Sequence, residues 1–133
     1  MSFEYDLPGA VTSSILTPST SITSNTNTSI LDLSPYKGAV AIALNAGANT
    51  AGDANAKLQA TIYDSADNSS FAVSSATNAF TNVTNANSYQ ALDVDTRLAR
   101  RYLKVVMNVY GVNTAYPVGL AAHGQKFYNP NAV

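Results

Sequence analysis

The sequence predicts an all-β domain, a sandwich or barrel of about eight short antiparallel strands. Apolar residues alternate with period two in several segments, Asn, Asp, Ser, Gly and Pro clusters bound those segments at regular spacing, and no stretch carries the helical period. At 133 residues the chain has the length of one compact domain.

The first residues are rich in Ser and Thr, with Pro8-Gly9 and Pro18 as breakers and Val11, Ile15, Leu16 and Ile22 scattered between them. Residues 1–27 read as an extended N-terminal arm holding one or two short strand pieces, and residues 28–124 as the sandwich. Ser29 to Leu33 form a first strand, halted by Ser34-Pro35. Lys37 to Asn45 place Val40, Ile42 and Leu44 on one face and Ala39, Ala41 and Ala43 on the other, the mark of an inner strand packed on both sides. Leu58, Ala60 and Ile62 point inward from the next strand, and Asp64 to Ser70 make a turn from residues that bond their own backbone. Phe71 and Val73 follow it, and Phe80 and Val83 anchor a long polar connection. Tyr89 to Val94 resume as a strand that Asp95-Thr96-Arg97 breaks. The segment Arg101 to Val112 has the clearest alternation, with Leu103, Val105, Met107 and Val109 on one face. Leu103, Val105 and Met107 are expected in the core with Ile42, Leu44, Leu58 and Ile62 packed opposite. Tyr116 to Ala122 form the last strand, and residues 125–133 read as a C-terminal tail.

Composition excludes several kinds of chemistry. There is no cysteine, so disulfides, thiol catalysis and cysteine metal sites are out, and the single histidine, His123, removes every two-histidine metal motif. Ser, Thr and Asn make up 41 residues and Ala 21, while only 15 are charged, for a net charge of −1. That balance offers no basic footprint for nucleic acid, and no run is long and apolar enough for a membrane helix. So little charge suits a protein whose surface is largely taken up by contacts with other protein. The acidic opening, Met1 to Asp6, lacks the basic and apolar regions of a secretory signal, which leads to an expectation that the protein is made and used, or assembled, in a cytoplasm.

The remaining polar groups do not assemble a motif. Asp93 and Asp95 share a strand face but sit at a strand end, and Asp64, Asp67 and Asn68 lack the ligand spacing of a calcium loop. The stretch Asn45 to Gly52 lacks the Lys-Ser/Thr ending of a phosphate cradle. No cofactor, no metal and no enzymatic activity are expected. Arg97, Arg100, Arg101 and Lys104 hold four of the seven basic residues within eight positions and, at a net charge of −1, read as a protein-contact surface or a solvated face in preference to a nucleic-acid patch with Tyr102 as stacking partner. With them, Phe3 and Tyr5 in the arm and Phe127 and Tyr128 in the tail are the candidate partner contacts. The arm and tail hold too few apolar anchors to offset their ordering entropy, so both are expected to settle against neighbouring subunits.

Three segments carry a family resemblance: "TSILDLSPYKGAVAIALNAG", "AKLQATIYDSADNSSF" and "LARRYLKVVMNVYGVNTAYPVGLAAHG". Over residues 28 to 124 the chain resembles the capsid cement or decoration proteins of tailed bacteriophages, in particular the jelly-roll cement protein of the Bordetella-phage type. The resemblance implies a jelly-roll-like sandwich on the outside of a virion, a homodimer tying major capsid protein subunits together. A tail, neck or fibre protein is the alternative within the particle. A carbohydrate-binding module is a further one, with Tyr63, Tyr89, Tyr102 and Tyr110 as its aromatic platform.

Overall fold

The computed structural model describes residues 11–51, 54–77, 79–111 and 114–126. Nine strands occur among them: β1 (Thr12–Ile22), β2 (Thr26–Asn27), β3 (Leu31–Asp32), β4 (Tyr36–Ala46), β5 (Lys57–Ser65), β6 (Ala72–Val73), β7 (Ser88–Asp95), β8 (Tyr102–Tyr110) and β9 (Tyr116–Lys126). They form two antiparallel sheets, one in the order β1-β9-β4-β7 and the other β2-β8-β5-β6, with β3 also on β8. If β2 and β3 count as halves of one strand, every connection but the β5–β6 hairpin crosses between the sheets. That is the winding of a jelly roll, which keeps both inner faces in one core.

The alternation of the sequence decides which faces meet. Val40, Ile42 and Leu44 of β4 and Val118, Leu120 and Ala122 of β9 face Leu58, Ala60 and Ile62 of β5 and Leu103, Val105 and Met107 of β8, all buried. Leu58 and Ile62 stand beside β8 rather than opposite it, because β5 pairs with β8 in register Leu58↔Val109 and Ile62↔Val105. The residues that do lie across the core from β8 are those of β4 and β9. Phe80 and Val83 close one side, with Val83 exchanging both backbone hydrogen bonds with Leu58 at 2.8 and 2.9 Å. The outer face of β4 is open at Ala39, half-covered at Ala41 and covered at Ala43, so it is less enclosed than an inner strand packed on both sides.

The expected N-terminal arm is in part a strand of the sandwich. Thr12 to Ile22 pair along β9 from Gly124 to Tyr116, and Leu16 and Ile22 enter the core, so the sandwich begins well before residue 28. Two register shifts, between Ile15 and Thr17 and between Thr17 and Thr20, break the alternation and hide the strand in the sequence. β9 likewise runs on to Lys126, inside the expected tail. Residues 1–10 and 127–133, with Phe3, Tyr5, Phe127 and Tyr128, lie outside the described residues.

Local irregularities link the sheets. Between β2 and β3 the pairing on β8 slips by one residue, from Asn27↔Val106 to Leu31↔Leu103. Thr28 fills the gap with its buried hydroxyl, which accepts the Val105 N–H at 2.9 Å while its own N–H donates to the Val105 carbonyl at 3.0 Å. Next to it, the Ser29 N–H donates to the Leu16 carbonyl at 3.1 Å, joining this bulge to the bulged region of β1 in the other sheet. In β4, Gly38 adopts a φ of 70° where the register on β9 shifts, a conformation that disfavours a side chain.

Val105 is fully buried on the strand central to this packing. Val105→Asp would place an unpaired charge there, a change on the order of 5 kcal/mol or more, enough to unfold a domain of this size. The variant is expected to show no cooperative thermal transition by circular dichroism.

Candidate interaction surface

The charged cluster picked out by sequence is the loop from β7 to β8. The loop is hydrogen-bonded within itself and to both sheets. Asp95, at the end of β7, receives the Arg97 N–H on Oδ1 at 2.9 Å, and its carbonyl accepts from Leu98 and Ala99, each at 3.0 Å. Thr96 donates to the Gly38 carbonyl twice, from N at 3.0 Å and from Oγ1 at 2.7 Å. At the far end, the Leu33 N–H reaches the Arg101 carbonyl at 2.7 Å.

Each arginine of the loop has a carboxylate of its own. Arg97 pairs with Asp95 at 3.2 Å, Arg100 with Asp64 at 2.7 Å and Arg101 with Asp32 at 3.0 Å. The Arg100–Asp64 pair is of a different kind from the other two. The inward face of β5 runs Leu58, Ala60, Ile62, Asp64, so the last inward position is a carboxylate, with its side chain only 4% exposed. Arg100 covers it with three hydrogen bonds, from N and Nε to the carboxylate and from Nη2 to the Asp64 carbonyl. Asp64 thus belongs to the strand and to this clamp, not to the turn that the sequence suggests. Continuing the alternation two residues past Ile62 is the signal that would have found it.

The arginines therefore differ in what they can offer a partner. Arg100 is a positioning residue, Arg101 is tied across to β3 and laid over the Tyr102 ring at 4.9 Å, and Arg97 extends into solvent. Lys104, the fourth member, points along the sheet with its Nζ 4.3 Å from the Phe71 ring centre. What sequence reasoning missed is Leu98, which the loop holds 69% exposed beside Arg97. A shallow depression of about 350 Å³ adjoins it, lined by Leu33, Tyr36, Ala99 and the loop arginines.

The outer face of the first sheet holds a second depression, floored by small residues. Ala43, Gly119 and Ala121 lie between Ile15 and Tyr89, each 71% exposed. His123 sits on this face with Nδ1 2.8 Å from Ser13 Oγ. Asp93 is two strands away across Ala41, so serine, histidine and carboxylate do not form a relay. The oxygens of the Asp64–Ser70 segment also diverge: Asp64 turns to Arg100, and Asp67 accepts from Ser65 Oγ and from the N–H groups of Ser69 and Ser70. Among the described residues no three His, Asp or Glu side chains gather as metal ligands. Of the four tyrosines proposed as an aromatic platform, Tyr63, Tyr102 and Tyr110 share the outer face of the second sheet, and Tyr89 lies on the first. The chain matches no protein-family model, no curated protein and no solved structure.

Hydrogen bonding depresses three of these carboxylates. The Arg101 guanidinium holds Asp32 at about 2, the Ser70 N–H, the Ser65 hydroxyl and the Ser69 N–H hold Asp67 at about 2, and Arg97 lowers Asp95. In each case the folded value lies below the unfolded 3.8, so the stabilisation is complete above that pH and drains away as pH falls towards 2. The melting temperature is expected to be level from pH 8 to about 5 and to fall between about 4 and 2. Arg101→Ala, followed by calorimetry, should shallow that fall. Arg100→Ala is expected to be far more damaging at neutral pH, costing about 3 kcal/mol because Asp64 stays behind as a covered, unpaired charge. The double variant Arg100→Ala, Asp64→Ala should recover part of that loss in urea denaturation.

Proposed function

We propose that this protein is a structural component of a phage particle, a decoration protein that binds the outside of the head and bridges major capsid subunits. The observation that carries this reading is the distribution of its surface groups. All three arginines answer carboxylates of the same chain, no catalytic or metal-binding constellation gathers among the described residues, and Ile15, Tyr89 and Leu98 stand about 70% exposed on rigid elements. Such a surface suits apolar contact with another protein rather than turnover of a small molecule. The jelly-roll winding and the resemblance of residues 28 to 124 to phage cement proteins support the same reading.

In this role the protein is no enzyme and needs no cofactor. It acts as a homodimer on the virion, after assembly in the host cytoplasm, and its partner is the major capsid protein. Its effect is mass action: a ligand that binds only the closed shell stabilises it by RT ln(1 + [L]/Kd), about 2.7 kcal/mol per site at a hundredfold excess over Kd. Many sites add, and because each copy spans a subunit boundary the gain opposes rupture of the shell. Leu98 and Arg97 are the loop residues placed to meet the shell, while Arg100 and Arg101 hold the loop in shape.

The test is binding to particles that lack the protein. Added protein should co-sediment with them, gold label should decorate the head, and heat-induced release of DNA should move up by several degrees. Leu98→Asp should lower occupancy at least tenfold with an unchanged melting temperature of the free protein. Label confined to the tail or neck would replace this reading with the tail or neck one, and absence of co-sedimentation would reject both.

A further inference from the structure

We infer that the outer face of the second sheet is a binding site for an acidic polysaccharide, lying along the β5–β8 ladder. This inference does not depend on the role proposed above. The ladder is nine rows long, and on its solvent side it sets Lys57 beside Tyr110, Gln59 beside Asn108, Thr61 beside Val106 and Tyr63 beside Lys104. Apart from β6 at one edge and β2 and β3 at the other, no described element adds a strand to the ladder, and its outward residues from Lys57 to Tyr63 and from Lys104 to Tyr110 keep partial exposure.

Charge sets the class of ligand. Among the described residues, the ion pairs account for the three arginines, and neither Lys57 nor Lys104 has a carboxylate within pairing distance. Both lysines are instead held over rings, Lys57 at 4.9 Å from the Tyr110 centre and Lys104 at 4.3 Å from the Phe71 centre. A cation placed on an aromatic face loses little of its charge and much of its freedom. The acid found on this face among the described residues, Asp32, is already bound by Arg101. The two free ammonium groups are six rows apart, about 20 Å at the rise of an extended strand. That spacing fits a chain with repeated negative charge better than one small anion.

The middle of the face separates a polysaccharide from other polyanions. Gln59, Thr61 and Asn108 offer amide and hydroxyl groups suited to a hydrated, hydroxyl-rich ligand. Of the large exposed apolar residues, Ile15, Tyr89 and Leu98 are elsewhere, while Val73 beside Tyr63 and Tyr110 beside Lys57 stand at the two ends of this face with the polar Gln59, Thr61 and Asn108 between them. Three rings, those of Tyr110, Tyr102 and Phe71, carry a cation of this chain on a face, which reduces the room for stacked bases.

Affinity electrophoresis of the intact protein in gels containing alginate, dextran or oligo-dT at low salt is the direct test. Retardation is expected with alginate, weakening as salt is raised, with none in neutral dextran. The double variant Lys57→Gln, Lys104→Gln should bind alginate at least tenfold more weakly while melting at the wild-type temperature, since both side chains are on the surface. Arg97→Gln, away from this face, should bind alginate as the wild type does. No retardation by alginate, equal retardation by dextran, wild-type retardation of the double variant, or tighter binding of oligo-dT would each overturn the assignment. Particle binding is read separately, so failure here leaves the decoration reading intact, and failure there leaves this one.

Discussion

Two strand pairs facing each other, β4–β9 and β5–β8, hold this molecule together. Their inward side chains are mostly Val, Ile, Leu, Met and Ala, with Tyr36, Tyr116 and Asp64 at strand ends and Gly124 where β9 passes Tyr36. A β-carbon at Gly124 would come within 2.9 Å of the Tyr36 ring and 3.0 Å of Val40. Everything peripheral takes its position from that core. β1 and β7 flank the first pair, the short strands flank the second, and the long polar connection is pinned by Phe80 and Val83. With so few charged residues in the chain, burial of apolar surface must supply most of the stability.

The charges that exist are used mainly at one end of the sandwich, where β5 finishes and β8 begins. A carboxylate in an inward position is costly to bury, and Arg100 compensates with a bond to each carboxylate oxygen and one to the main chain. The same loop is bound to Gly38 on the first sheet and to Leu33 next to β3. A segment without regular structure is thereby tied to both sheets by hydrogen bonds. It can present Leu98 to a partner with little entropy left to lose on binding.

Strands β4, β5 and β8 could be read from the sequence because each keeps its alternation over a central stretch, Val40 to Leu44, Leu58 to Ile62 and Leu103 to Met107, and alternation is what a half-buried strand requires. β1 could not. Its two register shifts bury Thr17 next to Leu16, no further residue is buried until Ile22, and the Ser and Thr between them resemble a linker. The arginine cluster was visible as a cluster, but its partners are 36 and 69 residues away for Arg100 and Arg101, and no local pattern announces such pairs. Thr28 is a similar case: a hydroxyl standing in for a main-chain acceptor leaves no trace in composition.

The position of β9 has a consequence for how the chain is made. It lies between β1 and β4, the first and the fourth strands, and bonds to both along most of its length. Until Tyr116 to Lys126 have left the ribosome, β1 has no neighbour and the first sheet has a gap at its centre. A nascent chain stalled before Tyr116 would lack the strand that covers one side of β4 and would leave Val40, Ile42 and Leu44 more open to whatever chaperones or other chains are nearby. Closure by the last strand also gives the fold its most distant contacts, Thr12 with Gly124 among them, which places folding of this small domain on the slow side for its size.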